Sequence, residues 1–452
     1  MANTSIRRTN SGNGNRKKWT VSWWEKKNKL GAVQRIFSCD EAGNNNHDDF
    51  FQWQTDDKLV IGFYDSGYYL NLTPDRNFRD TNGWYHFVFT WDTAQGTASD
   101  RVKFYVNGVQ ITSFATETYP SQNQDSFINT TEPIEIGKRS DNDTQYLEST
   151  LSHIHFCDGY AYTPSDFGST DSTTGEWKIN TSPSVSYGTN GFFILKDGNS
   201  LTDESPNSNN WSSVSGTLTN TEDCPDNVFC TLNPLDCDLV SGLSNGNNTF
   251  SGFNTGTDYS ATSSTLSASS GKFYWEAKVT DLAEIDQVGV RLQNGVSMSI
   301  QGSNGSAGLQ GTAYGGKSVQ FSNGNKAGDG AQSAYMGGFS ANDIIMVALD
   351  LDNNKITFGR NGQWSDGSGN ANQTYANSTA AFTNLTAGEF YCPAQTSRSY
   401  GSNSGTTQYI FGNGYFGTTA ISSEGTNASN IGKFEYDIPS GFTALSTKGL
   451  NE

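Results

Sequence analysis

Two acidic residues are spaced so that one strand could carry both on the same face. In Glu284-Ile285-Asp286-Gln287-Val288 they occupy alternate positions, and alternate residues of a strand point the same way. Enzymes that cleave glycosidic bonds use paired carboxyls as nucleophile and general acid. A further acid would be needed at the next alternate position, where Val288 stands. We therefore expect no catalytic residues and predict that the chain is not an enzyme.

Histidines and cysteines are the second kind of candidate, because both ligate transition metals. His153 and His155 are spaced to share a strand face, but zinc would require two more ligands. The other histidines, His47 and His86, have no carboxylate at a matching spacing. Three cysteines lack a Cys-x-x-Cys pair and are interpreted as linker thiols: Cys224, Cys230 and Cys237. We predict structural roles for all of these residues.

Calcium is the one cofactor that the residues leave open. Asp141-Asn142-Asp143-Thr144 could supply oxygen ligands, which calcium prefers. The same residue types are ordinary in turns, and the spacing of an EF-hand loop is absent. We keep Asp141 and Asp143 as a speculative calcium site, with a plain turn as the alternative.

Aromatic residues beside polar groups could bind a sugar or a partner protein, because a tyrosine or tryptophan ring combines an apolar face with a polar group. One group lies at 64–69, and a second pairs Trp53 with Asn46. Two further aromatic residues follow Asn-Gly turns in the second half of the chain. Packing in a core is the alternative for each. The candidate binding residues are Trp53, Tyr64, Asp65, Tyr68, Tyr69, Trp364 and Tyr415.

The composition favours an all-β chain with many turns. Of the 452 residues, 49 are glycine, 13% are aromatic and only 16% are charged. A helical protein would contain far more alanine, leucine, glutamate and lysine.

The net charge of −18 argues against nucleic acid as a partner, because phosphate binding needs clustered cations. Residues 1–37 are the exception, with nine cations against one anion, Glu25. We interpret them as a solvated strand face plus a basic N-terminal arm, with an arm that docks on an acidic neighbour as the alternative. No apolar run reaches the ~20 residues that span a bilayer, and residues 1–15 lack the apolar stretch of a signal peptide. We therefore expect neither membrane insertion nor export through a standard leader.

Alternating strands joined by Asn-Gly turns occur twice. Residues 83–92 and 102–110 form the first pattern, with the turn at Asn107-Gly108, and residues 344–364 repeat it. Asn-Gly supplies the positive φ angles of a two-residue hairpin. The predicted fold is two antiparallel β-sandwiches in tandem, over 1–212 and 239–452, with a linker at 213–238.

Several motifs resemble known families. The first block resembles the concanavalin-like, laminin-G-type lectin sandwich in Trp84-Tyr85-His86-Phe87, residues 102–108, Ile134-Glu135-Ile136-Gly137 and residues 151–159. The second block resembles the SPRY sandwich in Gly271-Lys272-Phe273-Tyr274-Trp275-Glu276, Val288-Gly289-Val290 and residues 343–364. These resemblances imply a concanavalin-like jelly roll followed by a SPRY-like sandwich, and laminin-G-type domains often bind calcium.

The tandem order, the junction at 186–192 and the end at 441–451 resemble virion proteins of tailed marine bacteriophages. This resemblance implies a spike, fibre or capsid appendage in a virion assembled in the host cytoplasm. Its partners would be other virion proteins, host-surface glycans and further copies of itself in a homo-oligomer. A capsid decoration or cement protein without glycan binding is the first alternative, and a glycan depolymerase is the second.

Overall fold

Short strands build the first of two units, Met1–Asn220. The computed structural model describes residues 3–40, 47–252, 260–283, 285–298, 308–398 and 405–451. The strands of the first unit are β1 (Ser5–Thr9), β2 (Lys18–Lys27), β3 (Gln34–Asp40), β4 (His47–Trp53), β5 (Leu59–Asp65), β6 (Tyr68–Pro74), β7 (Tyr85–Asp92), β8 (Val102–Val106), β9 (Val109–Gln110), β10 (Phe114–Thr118), β11 (Pro133–Ile136), β12 (Ser149–Asp158), β13 (Gly168–Thr170), β14 (Trp177–Ile179), β15 (Phe192–Ile194) and β16 (Ser212–Ser215). Two short 3-10 helices accompany them, at Ala98–Asp100 and Pro164–Asp166.

Two antiparallel sheets enclose the core of this unit. The larger sheet has the order β10-β6-β5-β4-β3-β11-β1-β16, and the smaller has the order β15-β12-β2-β7-β8-β9. Aromatic rings from both sheets meet between them, as Trp23 of β2 does with Phe51 of β4 at 5.6 Å between ring centroids. The alternation of apolar residues along the strands therefore produces a sandwich, as predicted.

The predicted Asn-Gly hairpins are confirmed. Asn107 and Gly108 have φ angles of +49° and +81°, and they join β8 to β9. The Asn107 side-chain oxygen also accepts a hydrogen bond from the His86 backbone N–H at 2.7 Å. In the second unit Asn361 and Gly362 have φ angles of +50° and +83°.

The basic N-terminal stretch is not an arm, contrary to our expectation. Strand β1 lies inside the larger sheet between β11 and β16, and its Ile6 is buried in the core. Two cations of the stretch pair with carboxylates of the unit: Arg7 with Glu135 at 2.9 Å, and Arg35 with Asp48 at 2.7 Å. Burial of Ile6 holds the strand in place, and Glu135 neutralises Arg7.

The second unit, Thr221–Glu452, is also built from strands. They are β17 (Leu232–Cys237), β18 (Leu243–Ser244), β19 (Thr249–Ser251), β20 (Ser260–Ser264), β21 (Lys272–Asp281), β22 (Ile285–Leu292), β23 (Lys317–Gln320), β24 (Lys326–Gly328), β25 (Ala331–Ser333), β26 (Ile344–Asp350), β27 (Lys355–Arg360), β28 (Gln363–Ser365), β29 (Ala371–Gln373), β30 (Tyr391–Arg398), β31 (Thr406–Ile410), β32 (Tyr415–Phe416), β33 (Thr419–Ala420) and β34 (Thr443–Ala444). Its 3-10 helices are Val240–Gly242, Gly308–Gln310, Thr312–Tyr314, Tyr375–Asn377 and Gly449–Asn451.

This unit is a second sandwich with its own core. One sheet has the order β17-β20-β30-β22-β23-β24-β25, and the other has the order β18-β19-β31-β21-β26-β27-β28-β29. Trp275, Val290 and Phe358 are fully buried in one cluster between them. The predicted all-β class with two antiparallel sandwiches in series is thus confirmed. No described helix has the length and apolar character needed to cross a membrane.

The segment 213–238 differs from the predicted linker. Its start belongs to β16, and its end forms β17, which pairs with β20. Cys230 and Cys237 are buried in the second core, so they are packing residues rather than linker thiols. The two units divide after Asn220. Short strands that contain polar residues and lie at sheet edges, such as β16 and β17, resemble loops in sequence. This is why the segment was predicted to be a linker.

Candidate functional site

Tyr64 and Tyr68 form the most exposed aromatic pair among the predicted binding residues. Tyr64, the next-to-last residue of β5, pairs with Tyr68 at the start of β6, with ring centroids 5.2 Å apart and edge to face. Tyr68 is 48% exposed. Both rings lie on the face of the larger sheet that points away from the core, because their neighbour Phe63 points into it. We call this pair the tyrosine platform.

A β-bulge decides which tyrosines reach the platform. Phe63 pairs with Leu70 and Tyr64 pairs with Tyr68, so Tyr69 is one extra residue on β6. A bulge of this kind turns side chains away from strict alternation. Tyr69 therefore points inward, where its hydroxyl donates a hydrogen bond to Asp49 at 2.5 Å.

A buried ion pair lies beside the platform. Asp48 is directly opposite Tyr64 in the ladder and accepts two hydrogen bonds from the Arg35 guanidinium, each 2.7 Å long. The guanidinium also lies 3.9 Å from the centre of the Phe50 ring. A Cβ on Gly62 would lie only 2.5 Å from Phe50 Cζ, so the ring rests on bare backbone. Gly62, Phe50 and Arg35 thus form a closely packed layer next to the tyrosines.

Asp48 has a carboxyl neighbour, Asp40, opposite it on β3. Burial raises the pKa of Asp48 to about 7. Burial also opposes ionisation of Asp40, but hydrogen bonds from Asp48 and Ser140 bring its pKa below the usual value. Asp40 is therefore ionised at neutral pH, which is where Asp48 titrates.

The remaining predicted residues of the first unit lie elsewhere. Asp65 lies on the other side of β5 from Tyr64, and its carboxylate is 3.5 Å from His47 Nδ1. Trp53 is fully buried and donates a hydrogen bond from Nε1 to Glu25 at 2.8 Å. Trp53 is therefore a core residue and not a binding residue. Asn46 lies outside the described residues.

In the second unit, Trp364 is buried rather than displayed. Its ring packs edge to face on Tyr375, with 5.0 Å between the ring centroids. Tyr415 is half-buried in β32, and its carbonyl accepts a hydrogen bond from Asn413 at 3.1 Å. The two aromatic residues that follow Asn-Gly turns thus do not form a binding surface like the platform.

The speculative calcium residues are engaged with cations. Asp141 lies 2.7 Å from Arg139 Nε, and Asp143 lies 2.6 Å from Lys138 Nζ. The hydrogen bond from Lys138 lowers the pKa of the Asp143 carboxyl. Within the described ranges, no three His, Cys, Asp or Glu residues converge as metal ligands. The turn at 141–144 is thus held by ion pairs in this structure.

The histidines are packing residues. His155 stacks on Phe193 with 3.9 Å between ring centroids, and its Nδ1 lies 2.9 Å from the Tyr187 hydroxyl. Burial lowers the pKa of His153 to about 4 and that of His86 to about 3. These rings are therefore neutral at physiological pH.

Of the two alternately spaced acids, Glu284 and Asp286, the structure describes only Asp286. Asp286 is buried in β22, and burial raises its pKa to about 6. Its carboxylate accepts a hydrogen bond from the Ala283 backbone N–H at 2.8 Å. Glu284 lies outside the described residues.

The Arg35–Asp48 pair and Asp40 were not among the predicted residues. Strand β4 reads His-Asp-Asp-Phe-Phe-Gln-Trp, in which like residues are adjacent, so no alternation places Asp48 on the outer face of the sheet. Nor does a local pattern show that Arg35 and Asp40, both on β3, lie beside it. Strand order in a sheet is not contained in a local pattern.

A comparison with known protein families supports the sandwich assigned to the first unit. Residues 2–166 match the model of the concanavalin A-like lectin/glucanases superfamily. The lectin-sandwich resemblance is thereby confirmed over those residues. No curated protein matches the chain.

Among solved structures, the SPRY domain of human HERC1 is 18% identical over 40% of this chain and 96% of its own, with a TM-score of 0.29. A heptameric SAP-like pentraxin from Limulus polyphemus is 16% identical over 48% of this chain and 90% of its own, with a TM-score of 0.29. A human SPRY domain is 15% identical over 36% of this chain and 90% of its own, with a TM-score of 0.25.

Proposed function

We propose that the chain is a binding protein whose first unit binds carbohydrate at the tyrosine platform. The observation that carries the proposal is the exposed Tyr68 ring beside Tyr64, on a sandwich that matches a lectin superfamily. A tyrosine ring can pack against the apolar face of a sugar while its hydroxyl remains hydrogen-bonded. The buried Arg35–Asp48 pair lies beside the two rings and supports them from below the surface.

Rigidity supports this proposal. The platform residues and Arg35 belong to strands or strand ends rather than long loops, and the Gly62–Phe50–Arg35 layer fixes their surroundings. A site that is ordered before binding loses less conformational entropy when the ligand arrives. Each site would still bind weakly, so copies joined in a homo-oligomer would increase the overall affinity.

The proposed setting is the virion of a tailed bacteriophage, where the chain would form a spike, fibre or capsid appendage. Its support is the resemblance of sequence motifs described above. In that setting the ligand would be a host-surface glycan, the other partners would be virion proteins, and assembly would occur in the host cytoplasm. A capsid decoration protein without glycan binding is the alternative.

A depolymerase has less support at this site. Retaining glycosidases separate their two carboxyls by about 5–5.5 Å, and inverting enzymes separate theirs further. Asp40 and Asp48 are instead opposite each other in the β3–β4 ladder, where Ser38 and Ser140 donate to Asp40 and Arg35 donates to Asp48. Both carboxyls are thus held in a buried network and are not displayed to a glycosidic bond.

The test is a glycan array probed with the labelled full chain, followed by calorimetric titration of the best ligand. We expect Tyr68→Ala to weaken binding at least tenfold, which corresponds to about 1.4 kcal/mol. Tyr160→Ala is the matched control, because Tyr160 is a comparably exposed tyrosine of the same unit, at 42%. It should leave the affinity within twofold of the parent.

An array without signal, together with tight binding of the chain to capsid protein, would favour the decoration role. Equal losses in the two tyrosine variants would show that the platform is not the site.

A further inference from the structure

The first unit has an open cleft of about 450 Å³ away from the tyrosine platform. It lies where β1 ends and the chain approaches β16. Six of its lining residues matter here: Arg7, Arg8, Ser208, Asn209, Asn210 and Ser212. We call it the arginine cleft, and we propose that it binds an oxyanion carried by an acidic polysaccharide, either a carboxylate or a sulfate ester.

Arg8 supplies the charge of the cleft. Its Nη1 donates hydrogen bonds to the Asn10 side-chain oxygen and, at 3.3 Å, to the Asn190 carbonyl. Within the described chain, Nε and Nη2 make no hydrogen bond and remain available to a ligand. A guanidinium presents its donors in a planar fork, which matches the oxygens of carboxylate and sulfate groups.

Arg7 precedes Arg8 on β1, so the two side chains leave the strand on opposite faces. Arg7 Nη2 is bonded to Glu135 at 2.9 Å and its Nε is buried, so Arg7 borders the cleft while Arg8 supplies the donors.

The opposite wall is prearranged. The buried Asp203 carboxylate accepts hydrogen bonds from the backbone N–H groups of Phe193, Ser205 and Asn209 at 2.6–2.9 Å. Asn210 in turn accepts the Asp203 backbone N–H at 2.8 Å through its side-chain oxygen. This leaves the Asn210 amide N–H₂ and the Ser208 hydroxyl as donors for a ligand.

The nearby acids do not cancel the positive charge of the arginine cleft. Glu135 is shared between Arg7 and Lys138, at 2.9 and 3.3 Å. Asp203 attracts Arg8, but its carboxylate is already occupied by the backbone groups that hold the wall. A further anion would therefore meet unoccupied donors on both sides of the cleft.

The cleft is a separate site from the platform and extends the proposed function. Five strand spacings separate β6 from β1 in the larger sheet, which is about 24 Å at roughly 4.8 Å per strand. A variant in one site should therefore leave the other intact, so the two proposals can fail independently.

The experiment is calorimetric titration of the full chain with three oligosaccharides: one rich in uronate, one sulfated, and a neutral one of matched length. The titrations are repeated with Tyr68→Ala, which removes the platform; in that variant we expect one or both acidic probes to bind and the neutral probe not to bind, with affinity falling as salt rises. The uronate and sulfate arms identify which oxyanion the cleft prefers.

Arg8→Gln should weaken binding of the acidic probe at least tenfold. Arg76→Gln removes the same charge from an exposed arginine outside the cleft and should change affinity less than twofold. Ser208→Asp places a carboxylate on the wall and should abolish binding. Ser208→Asp also tests the proposal independently if the arginine variant misfolds, because aspartate tolerates the φ of +58° found at Ser208. Tyr68→Ala should leave this binding unchanged.

The proposal is overturned if the neutral probe binds Tyr68→Ala as well as the acidic ones do. It is equally overturned if Arg76→Gln costs as much as Arg8→Gln, or if neither acidic probe binds at millimolar concentration.

Discussion

Asp49 lies between the two sheets of the first unit, where few carboxyls are found. It accepts hydrogen bonds from the Tyr69 hydroxyl and from the backbone N–H groups of Phe127 and Ile128 at 2.5–3.1 Å. These contacts tie β6 to the segment 127–128. Burial outweighs them in its effect on ionisation and raises the pKa of Asp49 to about 7.

This pKa makes stability depend on pH. The folded value lies above that of an unfolded aspartate, near 3.9, so the folded chain holds the proton more tightly. The stabilisation is complete below about pH 4 and is lost as pH rises through 7. Asp49→Asn mimics the protonated form. The melting temperature of this variant minus that of the parent should therefore increase as the pH rises from 5 to 8.

Thermal denaturation at the two pH values measures this gain. Asp125→Asn is the control, because Asp125 is exposed, and its offset from the parent should stay constant. A constant offset for Asp49→Asn as well would show that Asp49 is ionised throughout the range.

The tyrosines show what residue patterns can and cannot predict. Tyr64 and Tyr68 were identified from their types and spacing, and the structure brings them together. Tyr69 and Trp53 were also predicted as binding residues. A bulge turns Tyr69 inward instead, and Trp53 lies on the core face of β4. A bulge depends on the partner strand, which neighbouring residues do not reveal.

At the scale of strands, the contact between β4 and β5 forms the floor beside the platform. Phe50 is opposite Gly62 in the ladder, and its ring occupies the space that a side chain at Gly62 would fill. The Arg35 guanidinium covers the other face of the ring. The three residues therefore link β3, β4 and β5 in one packed layer.

Gly62→Ala should disturb this layer. The added methyl must displace the Phe50 ring, and overpacking of this kind costs about 1–3 kcal/mol. Gly67→Ala is the matched control in the same hairpin, because a Cβ there meets nothing within 4 Å. We expect a drop of several degrees in the melting temperature of Gly62→Ala and little change in the control. Equal melting temperatures for Gly62→Ala and the parent would show that the Phe50 ring can shift without loss of stability.

Strands differed in how well they could be predicted. The hairpin at Asn107-Gly108 was evident, because both its turn chemistry and its alternation are local. Strand β1 was mistaken for an arm, since Arg7 and Arg8 dominate its five residues and only Ile6 is a core residue. Its partner strands lie more than a hundred residues away in sequence, beyond the reach of any local pattern.

At the scale of the whole molecule, the largest described core cluster of each unit draws its residues from that unit alone. Each of these two clusters is enclosed by the two sheets of its own unit. A change in the first core should therefore act on the first unit alone.

Ile6→Ala tests this separation. Ile6 is 3% exposed, and truncation of a buried isoleucine costs about 2–5 kcal/mol. In scanning calorimetry of the full chain, we expect one unfolding transition to move to lower temperature while the other stays in place. Val109→Ala, at a residue 68% exposed, should move neither. A common shift of both transitions would mean that the units unfold together.

Strand β1 also sets the order in which the first unit can form during protein synthesis. Ser5 pairs with Ser215, 210 residues further along the chain. A ribosome adding about 5–20 residues per second needs roughly 10–40 seconds to cover that distance. Throughout this interval the nascent N-terminal segment has no strand to join on one side, and a chaperone or a neighbouring nascent chain could reach it first.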